Sequence, residues 1–413
     1  MKRAAFDTLG CKLSFAESSS WARAFEAAGF EIVDAGEPAD IYVVNTCSVT
    51  EHADKKGRNL IRRLHRKAPG ARIIVAGCQA QLRAEQLAEL DGVWAVVGSD
   101  YKGELLAIAT AESIPQKIFV KPIEQSRKFF AAHSSTGRTR AFLKVQDGCD
   151  YHCTYCTVPL ARGDSRNAPI ADIVAQAEAI AASGFKEVVL TGVNTGDFGK
   201  STGESFFDLI KALNAVEGIE RYRISSIEPN LLTEEIVDWI ASGTKFLPHF
   251  HIPLQSGCDR VLAAMHRRYN TDFFRRRIEY IRGKMEHVFF GIDVIAGFPG
   301  ETDADFEQTY RFLEQIHPAF IHIFPYSRRA GTPAADMPGQ VQESVKTERV
   351  ARLEELCSRL HAEFCEANCG RREQVLFEST VRDGKMFGYS RNYIKVERDY
   401  DPALVREIVD VIL

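Results

Sequence analysis

From Ala4 to Val97, short runs of β-branched and apolar residues alternate with longer stretches in which apolar positions recur every three to four residues. Ala4 to Thr8, Ile41 to Asn45, Ile73 to Ala76 and Val93 to Val97 read as strands. Phe15 to Ala28 reads as a helix ended by Gly29 in a left-handed cap. Such alternation predicts a parallel α/β sheet. Residues 101 to 140 lose the rhythm and gather Lys117, Lys121, Arg127, Lys128, Arg138 and Arg140 around a His-Ser-Ser-Thr-Gly stretch, the pattern of an interdomain linker. A second series opens at 141, with strand-like runs at Phe142 to Val145, Glu187 to Leu190, Tyr222 to Ser226, His249 to Leu254, Phe289 to Ile295 and Phe320 to Phe324. Six such units predict a partial (β/α)6 barrel of the TIM type. A long helical pattern, Val341 to Asn368, follows, and from Arg371 the alternation turns β-rich and predicts a small β-barrel. The expected fold class is α/β, with a sheet domain at 1–125, a partial barrel at 135–370 and a small β-barrel at 371–413.

Composition narrows the class without changing this layout. A chain of 413 residues, 45% hydrophobic and 26% charged, supports more than one packed core and fits neither disordered, collagen-like nor coiled-coil chains. Met1-Lys2-Arg3 leads straight into a strand-like run, and no uncharged apolar run reaches about 18 residues, so a cytoplasmic protein without a membrane span is expected. The net charge of -4 excludes a generally basic nucleic-acid binder but leaves room for local basic faces. One lies at 55–67, with Lys55, Lys56, Arg58, Arg62, Arg63, Arg66 and Lys67; a second includes Arg267, Arg268, Arg275, Arg276, Arg277, Arg282 and Lys284. Charge runs are commonly solvated faces, and RNA contact is the alternative for both.

The ten cysteines change the picture most. A large cytosolic chain keeps its thiols reduced, which points to metal or redox chemistry rather than a disulfide scaffold. Cys149, Cys153 and Cys156 form C-x3-C-x2-C just after the first barrel strand. With His152 they could hold zinc, yet structural zinc sites usually show two spaced ligand pairs. As an iron-sulfur site, three thiolates would leave one iron open. Cys11, Cys47 and Cys78 each follow a strand of the first sheet by two or three residues, so their loops share its carboxyl edge, where ligands bind in parallel sheets. They form a second candidate triplet. Cys258, Cys357, Cys365 and Cys369 show no such arrangement and read as structural thiols.

These residues carry a resemblance. Gly148-Cys149-Asp150, Tyr155-Cys156-Thr157-Val158-Pro159, Arg162-Gly163, Leu190-Thr191-Gly192-Val193-Asn194, His251-Ile252-Pro253-Leu254-Gln255-Ser256-Gly257 and Gly297-Phe298-Pro299-Gly300-Glu301-Thr302 resemble the radical S-adenosylmethionine methylthiotransferases over essentially the whole chain. Thr8-Leu9-Gly10-Cys11-Lys12 is similar to the branch that acts on threonylcarbamoyladenosine at position 37 of tRNA, with Ser14 where that branch has asparagine. The neighbouring branches act on isopentenyladenosine tRNA or on a ribosomal-protein aspartate. The resemblance implies two [4Fe-4S] clusters, one on Cys149, Cys153 and Cys156 and one on Cys11, Cys47 and Cys78. It further implies S-adenosylmethionine, a low-potential electron donor, a sulfur source and the tRNA anticodon stem-loop. The first cluster would cleave S-adenosylmethionine to a 5'-deoxyadenosyl radical and the second would hold the sulfur. Tyr155, Thr191, Gly192, Glu228 and Gln255 become candidates for the cofactor. Arg162, Arg166, Arg62, Arg63 and Arg275 become candidates for substrate. Phe387, Tyr389 and Tyr393 could stack on unpaired bases or pack in a core. The family's barrel, known as TRAM, implies a last strand beyond Leu413. The rival of another class is a non-catalytic zinc-dependent RNA-binding protein.

Overall fold

The computed structural model describes residues 1–134 and 138–413. The first sheet is parallel throughout, with strands β1 (Arg3–Thr8), β2 (Glu31–Val33), β3 (Ile41–Thr46), β4 (Arg72–Gly77), β5 (Val93–Val97) and β6 (Ile118–Phe119) in the order β2-β1-β3-β4-β5-β6. β3 is buried at every position, as the near-continuous run Ile41-Tyr-Val-Val-Asn-Thr46 requires of a strand covered on both faces. Helix α2 (Glu51–Lys67) covers one face through Leu60, Ile61 and Leu64. Thr50 caps it by accepting from the Ala53 amide at 3.2 Å, and its first turn is acidic and its last basic, in line with the helix dipole. Helix α1 (Lys12–Ala27) covers the other face with Trp21 and Phe25, and Gly29 follows it at φ +86°. Polar residues of α1 are buried too: Ser14 and Ser18 against Asn45 of β3, and Glu17 against Lys144 at the start of the barrel.

The first part of the stretch expected as an interdomain linker carries elements of its own. Ser99–Glu104 is a 3-10 turn, Leu105–Thr110 a short helix that buries Leu105 and Ile108, and β6 adds the edge strand. These elements are too short to establish a periodicity, and tertiary packing decides them. The expected domain boundary at 135, and the Ser135-Thr136-Gly137 part of that stretch, lie outside the described residues.

The barrel strands are β7 (Ala141–Lys144), β8 (Glu187–Thr191), β9 (Arg221–Ile224), β10 (His249–Gln255), β11 (Phe289–Ala296) and β12 (Phe320–Pro325), all parallel. The bridges Tyr222 to Phe246 and Ser226 to His251 join the two groups of three into one open, curved sheet. One continuous core unites its strands and outer helices, including the long helix Glu343–Glu366. The tail forms β13 (Arg372–Arg382), β14 (Lys385–Ser390), β15 (Lys395–Asp399) and β16 (Ile408–Ile412), antiparallel in the order β15-β14-β13-β16. It is a curled half-barrel rather than a closed barrel. Arg223 ties it to the barrel by donating to the carbonyls of Ser390 (2.8 Å) and Arg391 (2.9 Å).

Candidate functional site

The loop after β7 is shaped for its cysteines. Gly148 sits at φ +73°, and a Cβ there would lie 2.0 Å from the Asp164 carbonyl, so only glycine fits. Gln146 accepts from the amides of Val193 (2.9 Å) and Asn194 (3.0 Å) and donates to the Gly148 carbonyl at 2.7 Å, which staples the cysteine loop to the loop after β8. Cys149 and Cys153 are buried, and Cys156, Tyr151 and Tyr155 pack against them. Burial, with neighbouring Cys153 next, pushes the Cys156 thiol up to about 12.

A cavity of about 320 Å³ opens over these thiols. Tyr155, Asn194, Glu228, Gln255 and Asp293 are among its lining residues. Gln255, the last residue of β10, has φ +69°, an uncommon left-handed conformation for a side chain of that size and a mark of local constraint at a site. Arg267 donates to Cys153 Sγ at 3.0 Å and to the Tyr155 hydroxyl at 3.4 Å, and pairs with Glu228. Burial pushes the Glu228 carboxyl up and the Arg267 guanidinium opposes it. The Asn194 side-chain nitrogen, 97% buried by residue, has no partner among the described residues, so the cavity wall holds a donor that a ligand can satisfy.

Cys11, Cys47 and Cys78 also converge. Gly77, φ +95°, ends β4 with space for no Cβ, which would sit 2.3 Å from the Thr46 carbonyl, and Cys78 opens the following helical turn. Burial pushes the Cys47 thiol up to about 11, and Cys78 and Cys11 lie close enough to add to the effect. Arg162 faces Cys78 and Cys11 electrostatically, and its Nη2 is buried without a partner among the described residues. A free donor on a cation beside three thiols suits an anionic sulfur-rich group.

The spacing of the thiols separates the metal classes. Sulfurs on one zinc ion can be no further apart than about 4.6 Å, twice the Zn–S distance. Among the described residues, only His251, Asp293 and His322 place three ligand atoms within 4.8 Å of one another. Each cysteine triplet is therefore wider than a single ion permits, and His152 is exposed. Three separate thiolates are what a polynuclear cluster with separate iron corners takes from a protein. The His251 set is accounted for by the hydrogen bond between His251 Nε2 and Asp293 Oδ1 at 2.5 Å.

Several expectations about individual residues change. Arg162 and Arg166, read as substrate contacts, are buried and do not line this cavity. Arg162 donates to Glu17 (3.2 Å) and Asp147 (2.9 Å), and Arg166 to the carbonyls of Lys128 (2.9 Å) and Asp164 (3.1 Å). Burial among carboxylates, rather than loop exposure, decides their role. The Thr191 carbonyl is taken by the Val145 amide, and Val193 and Asn194, not Thr191 and Gly192, reach the cavity. Arg62 and Arg63 are exposed on α2, whereas Arg275 pairs with Asp272. Arg267 was hidden within a charge run; its place between β10 and the helix Thr271–Lys284, in the connection that leaves the strand's carboxyl edge, was the available signal.

A profile described as "Radical SAM superfamily" matches residues 143–313, and one described as "Uncharacterized protein family UPF0004" matches residues 3–98. The chain is 38% identical to "Threonylcarbamoyladenosine tRNA methylthiotransferase MtaB" of Bacillus subtilis, over 100% of this chain and 93% of that protein. It is 37% identical to the protein of the same name in Aquifex aeolicus, over 96% of this chain and 97% of the relative. It is also 35% identical to "tRNA-2-methylthio-N(6)-dimethylallyladenosine synthase" of Sphingopyxis alaskensis, over 98% and 93%. Among solved structures, the radical S-adenosylmethionine methyltransferase TsrM of Kitasatospora setae shares the fold, with a TM-score of 0.61 at 15% identity over 81% of this chain and 77% of that one. The paired thiol triplets, the half-open barrel and this full-length likeness together say that the chain belongs to the radical S-adenosylmethionine methylthiotransferase family.

Proposed function

We propose that the protein inserts a methylthio group at C2 of N6-threonylcarbamoyladenosine at position 37 of tRNA. The observation that carries this reading is full-length likeness at 37 to 38% to relatives named for that activity, in a chain that keeps both cysteine triplets. Cys149, Cys153 and Cys156 would hold one [4Fe-4S] cluster, and Cys11, Cys47 and Cys78 the other. When bound, these clusters and S-adenosylmethionine supply the one-electron cleavage and the sulfur that replacement of an unactivated C–H requires.

The chain's own part is to bind, orient and keep dry. Asn194, Glu228 and Gln255 offer polar groups to S-adenosylmethionine, and Tyr155 covers the cysteine loop. Arg267 bridges Cys153 to Glu228 and so fixes the thiolate loop against the barrel edge. Arg162 puts positive charge beside Cys11 and Cys78. The exposed Arg62 and Arg63 on α2 are suited to RNA phosphates.

The test is product analysis by mass spectrometry after anaerobic reconstitution with iron and sulfide. The substrates are anticodon stem-loops bearing threonylcarbamoyladenosine or dimethylallyladenosine, with S-adenosylmethionine and dithionite. The expected result is about eight irons per chain and a methylthio group on the threonylcarbamoyl stem-loop. Modification of the dimethylallyl stem-loop alone, or zinc without iron, would overturn the proposal. Replacing Cys149, Cys153 and Cys156 by Ala is expected to abolish 5'-deoxyadenosine formation. Replacing Cys11, Cys47 and Cys78 should leave 5'-deoxyadenosine detectable but no methylthiolated RNA.

A further inference from the structure

A second cavity, about 640 Å³, lies where the Cys11 loop, the open side of the barrel and the β-rich tail meet. Its volume is in the roughly 300 to 1,000 Å³ range of sites that enclose small ligands. The wall shared with the cysteine-lined cavity is thin: Asp293 lines that cavity, and its hydrogen-bond partner His251 lines this one. Five Lys or Arg residues line the larger cavity and no Asp or Glu does. Four of the five cations already have partners. Arg223 donates to Glu187 at 2.7 Å, and Arg140 to Glu378 at 2.9 Å and the Tyr393 hydroxyl at 3.1 Å. The Arg138 guanidinium lies 4.5 Å from the Phe15 ring centroid, and the Lys395 ammonium 3.9 Å from that of Phe387. Lys12 alone makes no hydrogen bond, ion pair or ring contact with any described residue, although it is exposed to the cavity and directly follows Cys11. His249, nine-tenths buried in the same wall, also has an Nδ1 without a partner among the described residues.

We infer that this cavity is an anion-reading subsite in which the Lys12 ammonium binds the free carboxylate of the substrate's N6 side chain. The inference rests on the proposed threonylcarbamoyladenosine substrate and names the group that selects it. A threonylcarbamoyl chain ends in a carboxylate, whereas a dimethylallyl chain is hydrocarbon. An enclosed cationic site pairs with the first, and burying the second against Lys12 strips water from an ammonium and returns nothing. The remaining walls suit the base: Tyr389 stacks on Tyr393 with centroids 4.7 Å apart, and Phe142 and Phe289 contribute apolar faces. Anchoring at Lys12 also holds the nucleoside next to Cys11, the residue beside it in the chain.

The test measures binding by the reconstituted full chain to four anticodon stem-loops. Position 37 carries adenosine, threonylcarbamoyladenosine, its threoninamide analogue with a neutral carboxamide, or dimethylallyladenosine. Wild type is expected to bind the carboxylate form about 10- to 100-fold more tightly than the carboxamide, the usual worth of one charge-assisted hydrogen bond. Lys12→Met should bring the two affinities within a factor of three, and Lys12→Arg should retain part of the difference. The subsite is wrong if Lys12→Met keeps the wild-type preference or if wild type binds carboxamide and carboxylate equally. The second comparison needs no variant and stands even if Lys12→Met loads iron poorly. Failure of the substrate reading looks different: wild type would favour the dimethylallyl stem-loop over the threonylcarbamoyl one.

Discussion

At the scale of single residues, the two glycines beside the cysteine triplets make the sharpest claims. Gly77→Ala forces a Cβ into the Thr46 carbonyl at a backbone conformation alanine resists, so Cys78 must move. Iron content of the reconstituted variant is expected to fall by about half, while the cluster on Cys149, Cys153 and Cys156 still yields 5'-deoxyadenosine. Buried histidines set a second expectation. Burial, with His251 next, lowers His322 from 6.5 to about 4, and burial with Arg23 next does the same for His133. In the window from about 4 to 6.5 the unfolded chain therefore binds more protons than the folded one. Stability should rise with pH across that window and be lost as pH falls through it. Urea midpoints at pH 7 and pH 5 measure the difference, and His322→Gln should shrink it.

At the scale of elements, sequence periodicity located every long strand of both sheets to within a residue or two at most ends. It failed where elements were too short to repeat a pattern: β2 has three residues and β6 two. The cysteine offsets were legible because a parallel sheet sends every strand end to one edge. The fate of the arginines was not. Arg267 and Arg275 sit in one charge run, yet the first is buried beside Cys153 and the second pairs with its helical neighbour Asp272. Periodicity reports which face a residue occupies, and whether another domain covers that face is a tertiary fact. Removing Arg267 leaves Glu228 buried without its cation, and Arg267→Met is expected to cost about 3 to 5 kcal/mol of stability, read by anaerobic urea unfolding.

At the scale of the molecule, the first domain and the barrel share one ionic core. Glu17 of α1 lies 2.8 Å from both Lys102 and Lys144 and 3.2 Å from Arg162, and Lys144 and Arg162 turn to Asp147 at 2.6 and 2.9 Å. Burial alone would raise Glu17, but Lys102, Lys144 and Arg162 outweigh it and hold the carboxyl well below its usual range. Asp147 adjoins Gly148 and Cys149, so the same network that joins the domains also holds the cysteine loop. Because all five groups are sealed from solvent, dissolved ions cannot reach between them. The RNA contact proposed for the exposed arginines of α2 would have no such shelter. Raising potassium chloride from 50 to 300 mM should release a bound stem-loop, with affinity falling about tenfold or more, while the thermal midpoint stays within a few degrees. On that proposal, ionic strength would act on this protein as a selective solvent, stripping away the nucleic acid and leaving the seam between the two cysteine triplets closed.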